Sequence, residues 1–197
     1  MKISHSLSSE KSQFERSLTD VMETFQMLPP FQQRLEQAAE LVTAALMNGH
    51  KLMFCGNGGS ASDTAHIANE FTCRFCEDRR PYPAMSFAVD GGLLSAIGND
   101  YHFDDLFARQ VLAFGKKGDV FIGLSSSGNS RNVLKALEQA KALGITTIAL
   151  LGKTGGFTVG VADVEIIVPG KVTARIQEAQ KFLLHVLCEI VEARLPR

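Results

Sequence analysis

Five short apolar runs, KLMFC, PAMSFAV, DVFIGLS, TTIALLG and VEIIVPG, punctuate the middle of the chain. A strand that is apolar at every position shows neither face to water, so other elements must cover both. The helical patterns DTAHIANEF, GLLSAI with DLFARQVLAF, and NVLKALEQAKALG lie among these runs. That alternation predicts an α/β fold, a parallel sheet with helices on both faces. Two helices precede the first strand. The stretch Ser8 to Met27 carries Phe14, Leu18, Val21 and Phe25 on one stripe and is ended by Pro29 and Pro30; LEQAAELVTAALMNG then runs to a stop at Gly49. ARIQEAQKFLLHVLCEIVEARL predicts a long amphipathic helix at the C-terminal end.

Residues 1–197 read as one domain: leading helices over 1–49, an α/β core over 50–170 and the final helix over 171–197. Neither a repeat nor a linker interrupts them. A length of 197 residues, 45% hydrophobic and 21% charged, suits a single soluble domain with a sizeable core. Lys and Arg number 20 against 21 Asp and Glu, so the net charge of -1 lacks the basic footprint of a nucleic-acid binder. No apolar run nears the roughly 18 residues of a membrane span, and the first 15 residues lack the apolar core of a signal peptide. These features predict a cytoplasmic protein with neither nucleic acid nor membrane as partner. Four cysteines are too few for a disulfide-stapled fold, and the single CxxC of Cys73 and Cys76 is weak evidence for a zinc ribbon.

In an open parallel sheet, ligands collect beyond the carboxyl ends of the strands. Two loops fall there. Gly56-Asn57-Gly58-Gly59-Ser60 follows KLMFC, and Ser125-Ser126-Ser127-Gly128-Asn129-Ser130 follows DVFIGL; each opens a helix. Helix N-terminal amides and serine hydroxyls hold a phosphate without a lysine, and glycine lets the backbone approach it closely. In the first loop the plainer reading is a tight turn with Ser60 or Ser62 as an ordinary helix cap. Gly56, Gly58 and Ala61 also match G-x-G-x-x-A loosely, but a dinucleotide fingerprint belongs on the first element of its fold. The Walker pattern is absent. Four serines in six residues of the second loop exceed what one cap requires, which makes it the stronger phosphate signal.

His66 and Glu70 stand four residues apart on the helix that follows the first loop, so they share a face and can meet one ion or substrate. An ordinary surface pair has the same spacing; the nearby phosphate-type loop favours a joint role. His5, His50 and His102 have no evident partner.

CGNGGSASDTAHIANEF, YPAMSFAVDGGLLSAIGND, SSSGNS and ARIQE together resemble the sugar isomerase (SIS) domain family, and within it the isomerases of sedoheptulose 7-phosphate, over nearly the whole chain. The resemblance implies a flavodoxin-like three-layer sandwich with a five-stranded parallel sheet, and a homotetramer whose active sites form where subunits meet. It implies isomerisation of sedoheptulose 7-phosphate to D-glycero-D-manno-heptose 7-phosphate, the entry to nucleotide-heptose precursors of lipopolysaccharide or other glycans. Glu70 and His185 match the family's catalytic pair, and Ser60, Ser125, Ser126, Ser127 and Ser130 its phosphate clamp. Asn57, Gly58, Gly59, Asp90, Arg74 and Gln177 match further substrate positions. The zinc-binding members use a set matching His66, Glu70, Gln177 and His185, which implies one Zn2+ per subunit. Ala174 departs from an Asp that some members carry three residues before the Gln of RIQE, and so removes any contact made by that Asp.

Gln177 and His185 are eight residues apart, about 12 Å along a helix and about 80° around it. Either they serve one site from different subunits, or only one of them touches the metal. The competing function is a non-catalytic SIS protein that binds the replication initiator DnaA or senses sugar phosphates. Retention of Glu70 and His185 favours the isomerase.

Overall fold

A computed structural model describes residues 11–196. The first helix, α1 (Gln13–Gln26), starts at Ser12, whose hydroxyl accepts from the Glu15 amide while the Glu15 carboxylate accepts from the Ser12 amide. This reciprocal cap sets the first helical residue at Gln13, five residues after the expected Ser8, and residues 8–10 lie outside the described part. Pro29 and Pro30 end the helix in a short 3-10 turn, Pro29–Phe31, before α2 (Gln32–Met47). Gly49, at φ 78, turns the chain into the sheet.

The expected alternation follows: β1 (Leu52–Cys55), α3 (Gly59–Thr72), β2 (Ala84–Ser86), α4 (Gly91–Asp100), α5 (Leu106–Phe114), β3 (Val120–Ser125), α6 (Arg131–Ala142), β4 (Thr146–Gly152), β5 (Val164–Val168) and α7 (Thr173–Glu192). All four strand pairings are parallel, in the order β2-β1-β3-β4-β5. This is the flavodoxin-like three-layer sandwich.

Side chains alternate across the sheet. Phe54, Ile122 and Leu150 enter one core with α2, α3 and α7, whereas Met53, Phe121 and Ala149 enter the other with α5 and α6. Both faces are thereby dry, which is why the strands carry apolar residues at every position. The order has a direct consequence for ligands. From β1 the chain crosses through α3 to the edge strand β2, while from the adjacent β3 it crosses through α6, on the opposite face, to β4. Neighbouring strands whose connections leave in opposite directions open a crevice at their carboxyl ends. Both glycine and serine loops border it.

α7 packs Leu184, Leu187 and Val191 inward and leaves Glu178 exposed. Leu184→Ala is expected to lower unfolding free energy by about 2–5 kcal/mol through lost burial and a residual cavity. Glu178→Ala should change it by under about 1 kcal/mol. Urea denaturation of both variants checks the rotational setting of the helix that carries Gln177 and His185.

Candidate active site

The β1 loop is shaped by close approaches. A Cβ on Gly56 would sit 2.9 Å from that of Ser60, and one on Gly59 would sit 2.8 Å from the Gln177 amide nitrogen. Gly58 takes φ 55, ψ -121. Ser60 is buried, and its hydroxyl accepts from Gln177 Nε2 at 3.4 Å. No N-cap side chain closes α3 or α6; the Ser60 and Ala61 amides donate to the Asn57 and Gly58 carbonyls, the Val133 amide donates to Asn132 Oδ1, and the positive ends of both helices adjoin the β1 and β3 loops.

In the β3 loop, the buried Ser125 hydroxyl donates to that of Ser130 at 3.0 Å, and Ser127 Oγ accepts from the Asn129 amide. Ser126 and Ser127 are half-buried. Gly128 takes φ 69, and a Cβ there would overlap the Gly155 carbonyl. Thr158 locks the same residue by donating its hydroxyl to the Gly128 carbonyl at 2.7 Å. The two loops are stitched together by a reciprocal amide pair in which Asn57 and Asn132 each donate to the other at 2.8 Å. Asn132 was not legible in the sequence; its role is created by strand order.

α3 and α7 lie side by side and run in the same direction, so their partners form a ladder. Ser60 meets Gln177, Asp63 meets Lys181 at 3.0 Å, and His66 meets His185. At the third rung His66 Nε2 is 3.0 Å from Glu70 Oε1 and 3.2 Å from His185 Nε2. The i,i+4 pair is therefore in contact, and His185 joins it from the same chain. Gln177 stays two rungs away at Ser60, so of the two α7 residues only His185 reaches the cluster within one chain.

The donor set fits a zinc ion. One imidazole nitrogen carries at most one hydrogen, so His66 Nε2 satisfies either Glu70 or His185 but not both. A shared cation lets all three atoms present lone pairs. A tetrahedral zinc with bonds of about 2.0 Å separates its ligands by about 3.3 Å, close to the separations here.

Other expected positions lie elsewhere in the chain. Asp90 caps α4, accepting from the Leu93 amide at 2.9 Å, and Arg74 donates to the Cys76 carbonyl on the exposed loop after α3. Among the described residues their hydrogen bonds are local. Cys73 and Cys76 are exposed free thiols outside the His66, Glu70 and His185 group. His50 lies beside Asp119, 3.9 Å from its carboxylate.

A parallel sheet with paired glycine and serine loops at its strand reversal defines a SIS domain, and the family model described as "SIS domain" matches residues 13–152. The phosphoheptose isomerase of Clostridium acetobutylicum is 47% identical over 163 residues, covering 83% of each chain. Among solved structures, the phosphoheptose isomerase of Neisseria gonorrhoeae aligns with a TM-score of 0.82 and 40% identity, over 91% of this chain and 95% of that one. That of Francisella tularensis aligns with a TM-score of 0.83 and 36% identity, over 91% and 94%. The chain belongs to the phosphoheptose isomerase family of SIS-domain proteins.

Gly128→Ala is expected to destabilise the fold by about 3 kcal/mol, because an L side chain at this positive φ has no space. It should also weaken inorganic phosphate as a competitive ligand. Thermal unfolding with and without phosphate reads both effects.

Proposed function

We propose that this chain is an aldose-ketose isomerase converting sedoheptulose 7-phosphate to D-glycero-D-manno-heptose 7-phosphate for heptose biosynthesis. The observation that carries this reading is the convergence of Glu70, His66 and His185 on the seam that begins at the serine loops. The relatives of known name and high coverage support it. A purely binding SIS protein has no use for a carboxylate and two imidazoles brought together in this way.

The serine hydroxyls and the N-terminal ends of α3 and α6 hold the phosphate and fix the far end of the sugar, so that C1 and C2 lie along the ladder toward Glu70. Glu70 takes the C1 proton, leaving an enediol, and returns it to C2. His185 moves the hydroxyl proton from the C1 oxygen to the C2 oxygen, so the carbonyl passes from C2 to C1 with no net change in protons. Zinc held by His66, Glu70 and His185 would supply Lewis acidity toward the sugar oxygens. Asn57, Gly58 and Gly59 shape the clamp.

The working form in this reading is a cytoplasmic homotetramer of single SIS domains. Phe14, Leu18 and Met22 on α1 are 74%, 48% and 55% exposed, an apolar stripe suited to burial between subunits. Exposed free cysteines suit a reducing compartment. Gln177, some 12 Å along α7 from His185, completes the metal set of a neighbouring subunit.

Glu70→Gln keeps shape but removes the base, and turnover of sedoheptulose 7-phosphate should fall by about a thousandfold with thermal stability retained. Turnover within tenfold of the parent would sink the assignment. For the shared site, Gln177→Ala and His185→Ala are each expected to be inactive alone. Co-refolding them should restore measurable activity, because mixed assemblies then contain intact sites; assembled mixtures that stay inactive would rule the arrangement out.

A further inference from the structure

The loop after α3 is tied to the end of α7 by one carboxylate. Glu192 Oε1 accepts from the Phe75 amide at 3.2 Å and from Arg79 Nε at 3.0 Å, and Oε2 accepts from the amides of Cys76 at 3.0 Å and Glu77 at 3.3 Å. Three successive amides and a guanidinium thus surround a side chain that is only 11% exposed, with Arg79 at 3%. Burial by itself would raise the Glu192 pKa. The hydrogen bonds from Cys76, Glu77, Arg79 and Phe75 outweigh it and hold the carboxyl below its ordinary value. The stability this group contributes is therefore complete above the usual carboxylate range and fades as pH falls through the lower folded value.

Arg79 is spent on α3 as well. Its Nη2 donates to the Glu70 carbonyl at 2.6 Å and its Nη1 to the Phe71 carbonyl at 3.0 Å. These are last-turn carbonyls, where a cation is favoured by the helix dipole. Phe75, held by the same carboxylate, packs on the His185 ring at 5.9 Å between centroids. One buried ion pair therefore touches the backbone of Glu70 on one helix and the ring neighbour of His185 on the other.

We propose that Arg79 and Glu192 are positioning residues for the isomerase centre, fixing the end of α3 on α7 so that Glu70, His66 and His185 keep their mutual geometry. The inference rests on the isomerase reading for its kinetic consequence, and on the contacts alone for its structural one. An ordinary loop anchor would cost stability and leave the chemistry unchanged.

The test compares Glu192→Ala with Glu36→Ala in the full-length chain. Glu36 on α2 pairs with Arg194, two residues past the end of α7, at 2.7 Å, and among the described residues its side chain forms no hydrogen bond or ion pair with the loop or the cluster. Glu192→Ala is expected to lower kcat roughly 10- to 100-fold, with KM within about threefold because the phosphate clamp is at the other end of the seam. Glu36→Ala should leave kcat unchanged. Proton-nitrogen spectra of the histidine rings give a readout that needs no turnover: the His66 and His185 resonances should move in Glu192→Ala and not in Glu36→Ala. If Glu192→Ala does not fold, Glu192→Gln, which keeps the shape and one acceptor, takes its place in both measurements. A variant with parental kcat and unmoved ring resonances overturns the proposal. If the parent itself fails to turn over sedoheptulose 7-phosphate, the isomerase reading fails and the ring resonances alone decide the positioning role.

Discussion

The parallel pairing of β1 with β3 is the contact on which the site depends. These neighbours are 65 or more residues apart in the chain, and their outgoing helices lie on opposite faces of the sheet. Because the connections diverge, a crevice forms above the two carboxyl ends, bordered by loops that the Asn57 and Asn132 amide pair ties together. Two helix N-termini and two small-residue loops are left facing each other across it. In the proposed function an anion is held there by helix N-termini and hydroxyls whose positions the sheet dictates, which lets a chain with net charge -1 bind a phosphate with no dedicated lysine.

The second constraint is the side-by-side packing of α3 and α7. Their inner faces, with Ile67, Phe71, Leu184 and Leu187, are buried in one core, and that burial sets the helices' rotation and register. The outer edges then meet in order, Ser60 with Gln177, Asp63 with Lys181 and His66 with His185. The Ser60 hydroxyl stands at one end of this seam, and Glu70 with two imidazoles at the other. A phosphorylated sugar needs that separation, since the group that anchors it and the carbons that react are at opposite ends of the molecule. At the reactive end the seam is closed by the buried Arg79 and Glu192 pair, whose charges are satisfied by backbone groups of the loop they hold.

Much of this was legible in the sequence because it is local. Apolar runs mark the strands, glycine and serine clusters mark the loops, and the four-residue spacing of His66 and Glu70 puts them on one helical face. The start of α1 was misplaced because a reciprocal Ser12 and Glu15 cap competes with the apolar stripe in setting a boundary. Asn132, Arg79 and Glu192 were missed for a different reason. In sequence they are an ordinary polar residue and two ordinary charges on helices or loops, and their partners are 75 and 113 positions away.

The sequence by itself determined the layered α/β class, the two anion-type loops and the His66 and Glu70 pair, since each follows from periodicity or from a residue's own conformational limits. Only the tertiary structure decided that β1 lies beside β3, that His185 joins His66 and Glu70 within one chain while Gln177 stays at Ser60, and that Glu192 meets the loop behind Glu70. These are contacts between segments that no local rule relates. They arise because two buried faces of one sheet, and two buried faces of paired helices, admit only a few registers that leave no apolar surface wet.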